Sequence, residues 1–260
     1  MKPAEVVERA ARRGVRALAL TDHDDLSGLP EARKAAAAVG IRLIDGVEVS
    51  TTWRARTLHV VGLNVDPENA VLVEGLRRNR SGRNARAERI AAQLEKVGIR
   101  GALEGARGFV TNPELVSRTH FARYLVDAGH AASAQAVFDR YLGTGKPGHV
   151  PHEWASLGDA VQWILAAGGL PVLAHPARYK LDDAQRSALL RSFKDMGGAG
   201  VEVVSGSHTA DESGYWARQA RAYGLLASAG SDFHGPRESY RDLGELSPLP
   251  SGCTPIWEHL

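Results

Sequence analysis

The sequence predicts a parallel α/β protein whose chemistry sits at the ends of its strands. Three observations predict it. Helical and strand-like runs alternate on both sides of one long helical stretch. The strand-like runs are short and apolar, and several end in histidine, aspartate or glutamate. The length, 260 residues, is ordinary for one α/β barrel.

Residues 3–13 carry an apolar stripe of Val6, Val7 and Ala10 and stop at Gly14, which predicts a helix. Residues 15–20 predict a strand that runs into Thr21-Asp-His-Asp24. A second helix is expected over 29–39, closed by Gly40, and a strand over 41–44, after which Asp45-Gly46 is expected to turn the chain. The β-rich runs 47–52 and 57–63, around Trp53-Arg-Ala-Arg56, predict a hairpin. From Pro67 to about Tyr141 the pattern is helical, with an arginine-rich run over 77–89 and helices expected at 118–128 and 133–141. Gly143-Thr-Gly-Lys-Pro-Gly148 is a loop. The α/β rhythm then resumes, with helices over 156–167, 182–195 and 211–223 and strands over 170–174, 200–204 and 225–229. The tail from Gly235 is proline-rich and predicts loop. Residues 1–66 and 151–260 therefore form the expected barrel domain, and 67–150 an expected helical insertion serving as a substrate lid.

Composition narrows the function classes. A net charge of +2 is too mild for a nucleic-acid coat, so no stable nucleic-acid complex is expected. No apolar run is long enough to cross a bilayer, the N-terminus lacks an apolar signal region, and the single cysteine, Cys253, allows no intramolecular disulfide. These features lead us to expect a cytoplasmic protein without membrane partners.

Metal-type side chains recur at strands: His23, Glu48, His59, His175, and Asp232 with His234. A lone histidine is more often structural than ligating, and His59 in Leu58-His-Val-Val61 also reads as a core histidine. Several together weigh differently, because strand ends converge in parallel α/β folds. Mixed imidazole and carboxylate donors suit zinc, manganese or iron better than calcium. Glu48, flanked by Val47 and Val49, reads as a buried, charge-compensated carboxylate. A carboxylate can bridge two metals, and such pairs act in phosphoryl displacement. Glu48, His23 and Asp232 are the residues expected to carry catalysis. Phosphate needs cations and backbone donors: Arg83 and Arg86 share a helix face, Arg118-Thr119 opens a helix, and Lys146, Arg178 and His208 are further candidates.

Leu20-Thr-Asp-His-Asp24, Gly46-Val-Glu-Val-Ser50, Leu58-His-Val-Val-Gly62, Ala174-His-Pro176 and Gly230-Ser-Asp-Phe-His234 resemble, in order and spacing, the PHP (polymerase and histidinol phosphatase) superfamily of metal-dependent phosphoesterases. Ser117-Arg-Thr-His-Phe-Ala-Arg123, Gly145-Lys-Pro-Gly148 and Ser205-Gly-Ser-His208 resemble one branch, the bacterial 3′,5′-nucleoside bisphosphate phosphatases. The resemblance implies a distorted (β/α)7 PHP-type barrel holding up to three divalent metals, commonly manganese and sometimes zinc or iron. It implies removal of the 3′-phosphate from adenosine 3′,5′-bisphosphate to give AMP, with trimming of short RNA from the 5′ end in related members. Carried over, His23, Glu48, His59, His175, Asp232 and His234 would be metal ligands, with Glu48 bridging. Arg86, Arg118, Thr119 and Arg178 would lie near substrate phosphates. The family opens with a strand bearing an HxH motif and then Ser-Asp-Gly. These 260 residues begin at the helix after it, so a barrel missing its first strand and three ligands is expected. Two other readings follow: a metal- or nucleotide-binding protein without turnover, and a phosphatase of the histidinol-phosphate type.

Overall fold

The structure is a computed structural model that describes residues 1–110, 112, 115–236 and 238–260. The expectations of helix around 111, 113 and 114, and of loop at 237, lie outside the described residues. Chain contacts divide the protein into two compact units, residues 1–76 with 154–260, and residues 77–153.

The first unit is the α/β body. Its elements are α1 (Pro3–Arg12), β1 (Ala17–Leu20), α2 (Leu29–Val39), β2 (Arg42–Trp53) and β3 (Arg56–Leu63). After the second unit come β4 (Ala155–Ser156), α7 (Leu157–Ala166), β5 (Leu170–Leu173), α8 (Asp183–Asp195), β6 (Gly200–Ser205), α9 (Ala210–Ala222) and β7 (Leu226–Gly230). The second unit holds most of α3 (Ala70–Glu95) with α4 (Ala102–Arg107), α5 (Arg118–Asp127) and α6 (Ala134–Val137). Local chemistry sets several helix starts. The Ser156, Asp182 and Thr209 side chains accept the Asp159, Gln185 and Glu212 N–H groups that helix geometry leaves without partners.

Among the described residues the strands form one sheet ordered β1-β2-β3-β5-β6-β7, with β4 beside β2. β1/β2, β5/β6 and β6/β7 are parallel, while β3 runs antiparallel to both its neighbours. The fold class is the expected α/β, barrel-type one, but the sheet is mixed rather than parallel throughout, because the β2–β3 hairpin sends β3 back antiparallel to both neighbours. β6 is buried along its whole length, as a central parallel strand should be. Val47, Val49, Leu58, Val60, Val201 and Val203 meet helix residues such as Ile164, Phe193 and Trp216 in the main core. The second unit has its own core, built on Ile90, Leu94, Phe121, Leu125 and Leu142.

Two expectations are corrected. Asp45-Gly46 does not turn the chain: β2 runs straight through it, pairing with β1 and then with β3. Gly46 is there for close approach, since a Cβ on it would lie 2.7 Å from the Thr21 methyl and 3.0 Å from the Gly62 carbonyl oxygen. The helix expected over 133–141 is a single α turn followed by a π-helical segment, Phe138–Leu142. The division at residue 76, beyond the expected 66, also has a physical reason. Leu72 and Leu76 at the start of α3 are fully buried in the first unit's core, and Gly75 lies against the Trp163 ring.

Candidate metal and phosphate site

The first unit brings six candidate donor side chains together from five places in the sheet. After β1 the segment 22–24 keeps pairing with β2: the Asp24 N–H donates to the Glu48 carbonyl at 2.9 Å, and the Glu48 N–H to the Asp22 carbonyl at 3.1 Å. His23 thus bridges alongside Glu48 in parallel. Asp24 is fully buried, and its carboxylate accepts the Ser50 N–H at 2.9 Å, which locks the segment. His59 is opposite Ser50 on β3, diagonal to Glu48 on the same sheet face. His175 follows β5, and Asp232 and His234 follow β7. Asp24, His175 and Asp232 all have positive φ (51°, 28° and 52°) without being glycine. Such strain persists only where surrounding contacts enforce it, and it concentrates at functional segments.

Glu48 is the centre of the cluster and only 7% exposed. Its Oε1 lies 2.9 Å from His59 Nδ1 and 3.0 Å from His175 Nε2, and its Oε2 lies 3.6 Å from His23 Nδ1. His59 Nδ1 and His175 Nε2 are 3.2 Å apart. The His23 ring is 4.7 Å from that of His59 and 5.9 Å from that of His234. Asp232 accepts from the Arg178 guanidinium at 2.5 Å, and its other oxygen is 3.5 Å from His234 Nδ1. Burial alone would raise the Glu48 carboxyl, but the His23 and His59 imidazoles and the His175 hydrogen bond outweigh it and hold Glu48 well below the usual carboxylate range. Burial lowers His175, yet its bond to Glu48 and the nearby Glu48, Glu202 and Asp232 carboxylates win and raise it.

Two groups of three donors have their ligand atoms within 4.8 Å of one another: His23, Glu48 and His59, and Glu48, His175 and Asp232. Glu48 belongs to both. The set fits divalent cations: neutral imidazoles and carboxylates are the donors such ions take, and one carboxylate offers an oxygen to each group. His175 Nδ1 is a buried nitrogen without a hydrogen-bond partner among the described residues.

Three neighbours escaped the sequence reading. Glu202 on β6 is 7% exposed and accepts the His175 N–H at 2.6 Å. Burial pushes its carboxyl up to about 8, against the pull of His175. Tyr179 accepts the His59 N–H at 2.9 Å, and burial drives its phenol well above the usual range. Asp24 was visible only as part of its motif. The signal for Glu202 was present: Val201-Glu-Val203 repeats the Val47-Glu-Val49 pattern.

The phosphate candidates divide between the units. Arg178 and His208 belong to the first, and Arg83, Arg86, Arg118, Thr119 and Lys146 to the second. His208 engages the backbone twice, donating from Nδ1 to the Val203 carbonyl at 3.1 Å and accepting the Ala177 N–H at Nε2, 3.3 Å away. In the second unit Arg86 donates to the Val150 carbonyl at 3.1 Å. Its guanidinium is lowered to about 10 by burial and by the like charges of Arg118, Arg83 and Arg89. Arg118 is lowered by burial and stands over the Phe138 ring. His149 is lowered by burial and by Arg118 and Arg86. Both arginines stay cationic at neutral pH, so this half-buried cluster is suited to an anion. Thr119 is half-buried in the first turn of α5, and Lys146 is exposed on its loop.

Imidazole and carboxylate donors converging at the strand ends of an α/β sheet have the make-up of a divalent-metal site. Comparison with known proteins carries this further. The PHP domain model matches residues 1–150. A 3′,5′-nucleoside bisphosphate phosphatase from Chromobacterium violaceum is 50% identical over 260 residues, covering 100% of this chain and 91% of that protein. A 5′-3′ exoribonuclease from Haemophilus influenzae is 41% identical over 258 residues, covering 99% and 93%. A solved structure of an amidohydrolase from C. violaceum, with bound sulfate and no metal, superposes with a TM-score of 0.97 at 49% identity, covering 100% of this chain and 90% of that one. The chain belongs to the PHP family.

Proposed function

We propose that this protein is a metal-dependent phosphoric ester hydrolase that removes the 3′-phosphate of nucleoside 3′,5′-bisphosphates, converting adenosine 3′,5′-bisphosphate to AMP. The observation that carries the reading is the sharing of one buried carboxylate, Glu48, by two donor groups. The C. violaceum relative, matched along this whole chain, supports the substrate.

Bound divalent ions, manganese before zinc or iron, would supply Lewis-acid charge at phosphoryl oxygens and a nucleophile at neutral pH. His23, Glu48 and His59 would hold one position. Glu48, His175 and Asp232 would hold the next, with His234 beside Asp232. Glu48 stays ionised because three imidazoles face it, so it offers charge to both positions at once. Arg178, on the Asp232 carboxylate, keeps that donor oriented and adds positive charge at the cluster. Arg86 and Arg118 are assigned to substrate phosphate, with the amides at the start of α5 as further donors. No described helix is long and apolar enough to cross a membrane.

The test is release of phosphate from adenosine 3′,5′-bisphosphate with Mn2+, Zn2+ or Fe2+, with the nucleotide product identified by chromatography. AMP and one phosphate per turnover are expected. Folded protein that releases none with any of the three metals overturns the proposal. The H. influenzae relative favours a second activity, removal of nucleotides from the 5′ end of short RNA. A 5′-phosphorylated oligoribonucleotide in the same assay reads it directly.

A further inference from the structure

β6 and the turn that follows it hold the main chain of the turn after β5. That turn, Pro176–Arg178 with His175 at its head, carries a donor of the metal cluster and the guanidinium that grips Asp232. His175 enters it at φ 28° and ψ 55°, a conformation that L-residues avoid, so something must impose it. Two side chains do. A Glu202 carboxyl oxygen accepts the His175 N–H at 2.6 Å, and the His208 ring accepts the Ala177 N–H at 3.3 Å. Pro176 between them has no N–H, so both available donors at the head of the turn are taken.

Each clamp is itself braced. β6 carries an irregularity between Glu202 and Val204 in its pairing with β7, an extra residue at Val203. The Val203 carbonyl takes the His208 Nδ1–H at 3.1 Å. A carbonyl can only accept, so Nδ1 carries the ring proton and Nε2 is left as an acceptor. Glu202 is wedged from the other side by Gly230, at the end of the strand that leads to Asp232. A Cβ on Gly230 would lie 2.1 Å from Glu202 Oε1.

We infer that Glu202 and His208 are positioning residues, which set the 175–178 turn and through it the placement of the His175 and Arg178 side chains. The inference rests on the metal-site reading above for its functional consequence, but the clamp itself can be measured without metal.

The experiment compares wild type with Glu202→Leu, Glu202→Gln, His208→Ala and His208→Gln. Hydrogen exchange at the His175 and Ala177 amides is followed in metal-free protein. Mn2+ affinity is measured by calorimetry, and donor geometry by the visible spectrum of the Co2+-loaded protein. Glu202→Leu is expected to speed exchange at His175, to weaken Mn2+ binding by roughly ten- to a hundredfold and to alter the Co2+ spectrum. Glu202→Gln, which keeps an acceptor oxygen, is expected to restore exchange and to bind Mn2+ within about threefold of wild type. His208→Ala is expected to expose the Ala177 amide, and His208→Gln to protect it. Unchanged exchange at both amides in the Leu and Ala variants overturns the inference, as does a Gln variant as impaired as its apolar counterpart. Should Glu202→Leu not fold, the His208 pair decides alone. Wild type that binds no Mn2+ but shows the exchange pattern sinks the metal reading and leaves the clamp standing.

Discussion

Gly230→Ala probes the packing that holds the site together. The new methyl would sit 2.1 Å from Glu202 Oε1 and 3.0 Å from its Cδ. That is about 1.3 Å short of ordinary van der Waals contact. Glu202 has little room to retreat, because it is 7% exposed and its other oxygen holds the His175 N–H at 2.6 Å. Overpacking of this kind costs about 1–3 kcal/mol, which lowers the melting temperature of a chain of this size by roughly 2–10 °C. All five tryptophans, Trp53, Trp154, Trp163, Trp216 and Trp257, lie in the first unit, so their fluorescence reports its unfolding alone. Glu202→Ala removes the atom that the methyl strikes. In a double-mutant cycle the pair should therefore be less destabilised than the sum of the single changes, by about 1 kcal/mol or more. Additive costs in the cycle, or a Gly230→Ala protein that melts like wild type, would refute the wedge.

Other perturbations address the site and the frame separately. Glu48→Gln keeps the shape of the shared donor and removes its charge; kcat/KM for phosphate release should fall by about a thousandfold or more, with Mn2+ binding lost in calorimetry and the tryptophan melt retained. Arg118→Ala removes a guanidinium assigned to phosphate, and KM should rise roughly ten- to a hundredfold in steady-state assays, as for loss of a charged hydrogen bond. Asp242 is bound by the Arg9 guanidinium, which lowers its carboxyl to about 2. A depressed carboxyl contributes stability that is complete above its unfolded value near 4 and is lost as pH falls toward 2. Urea melts at pH 7 and pH 3 should show that loss in wild type, and a smaller difference between the two pH values in Asp242→Asn.

Much of the site was legible in the sequence for a simple reason. His23, Glu48, His175, Asp232 and His234 stand on or just after short apolar strands, and strand ends of one sheet meet in space wherever they fall along the chain. The starts of α7, α8 and α9 also carry a local signal, because Ser156, Asp182 and Thr209 each precede a reciprocating side chain three residues on. Glu202 was harder to see as part of the site. A carboxyl inside an apolar strand signals burial, but only the neighbouring strands reveal what it binds.

By itself the sequence determined the alternation of strands and helices, and it pointed to six candidate donors and to a long helical stretch between the two α/β parts, because these depend on local pattern and on residue type. Tertiary structure alone decided that Asp45-Gly46 continues a strand, since the close approach of Thr21 and Gly62 comes from neighbouring chain segments. It also decided that α3 starts inside the first unit's core, and that Glu202 and His208 hold the turn bearing His175. These are contacts between residues far apart in the chain, and no local periodicity encodes them.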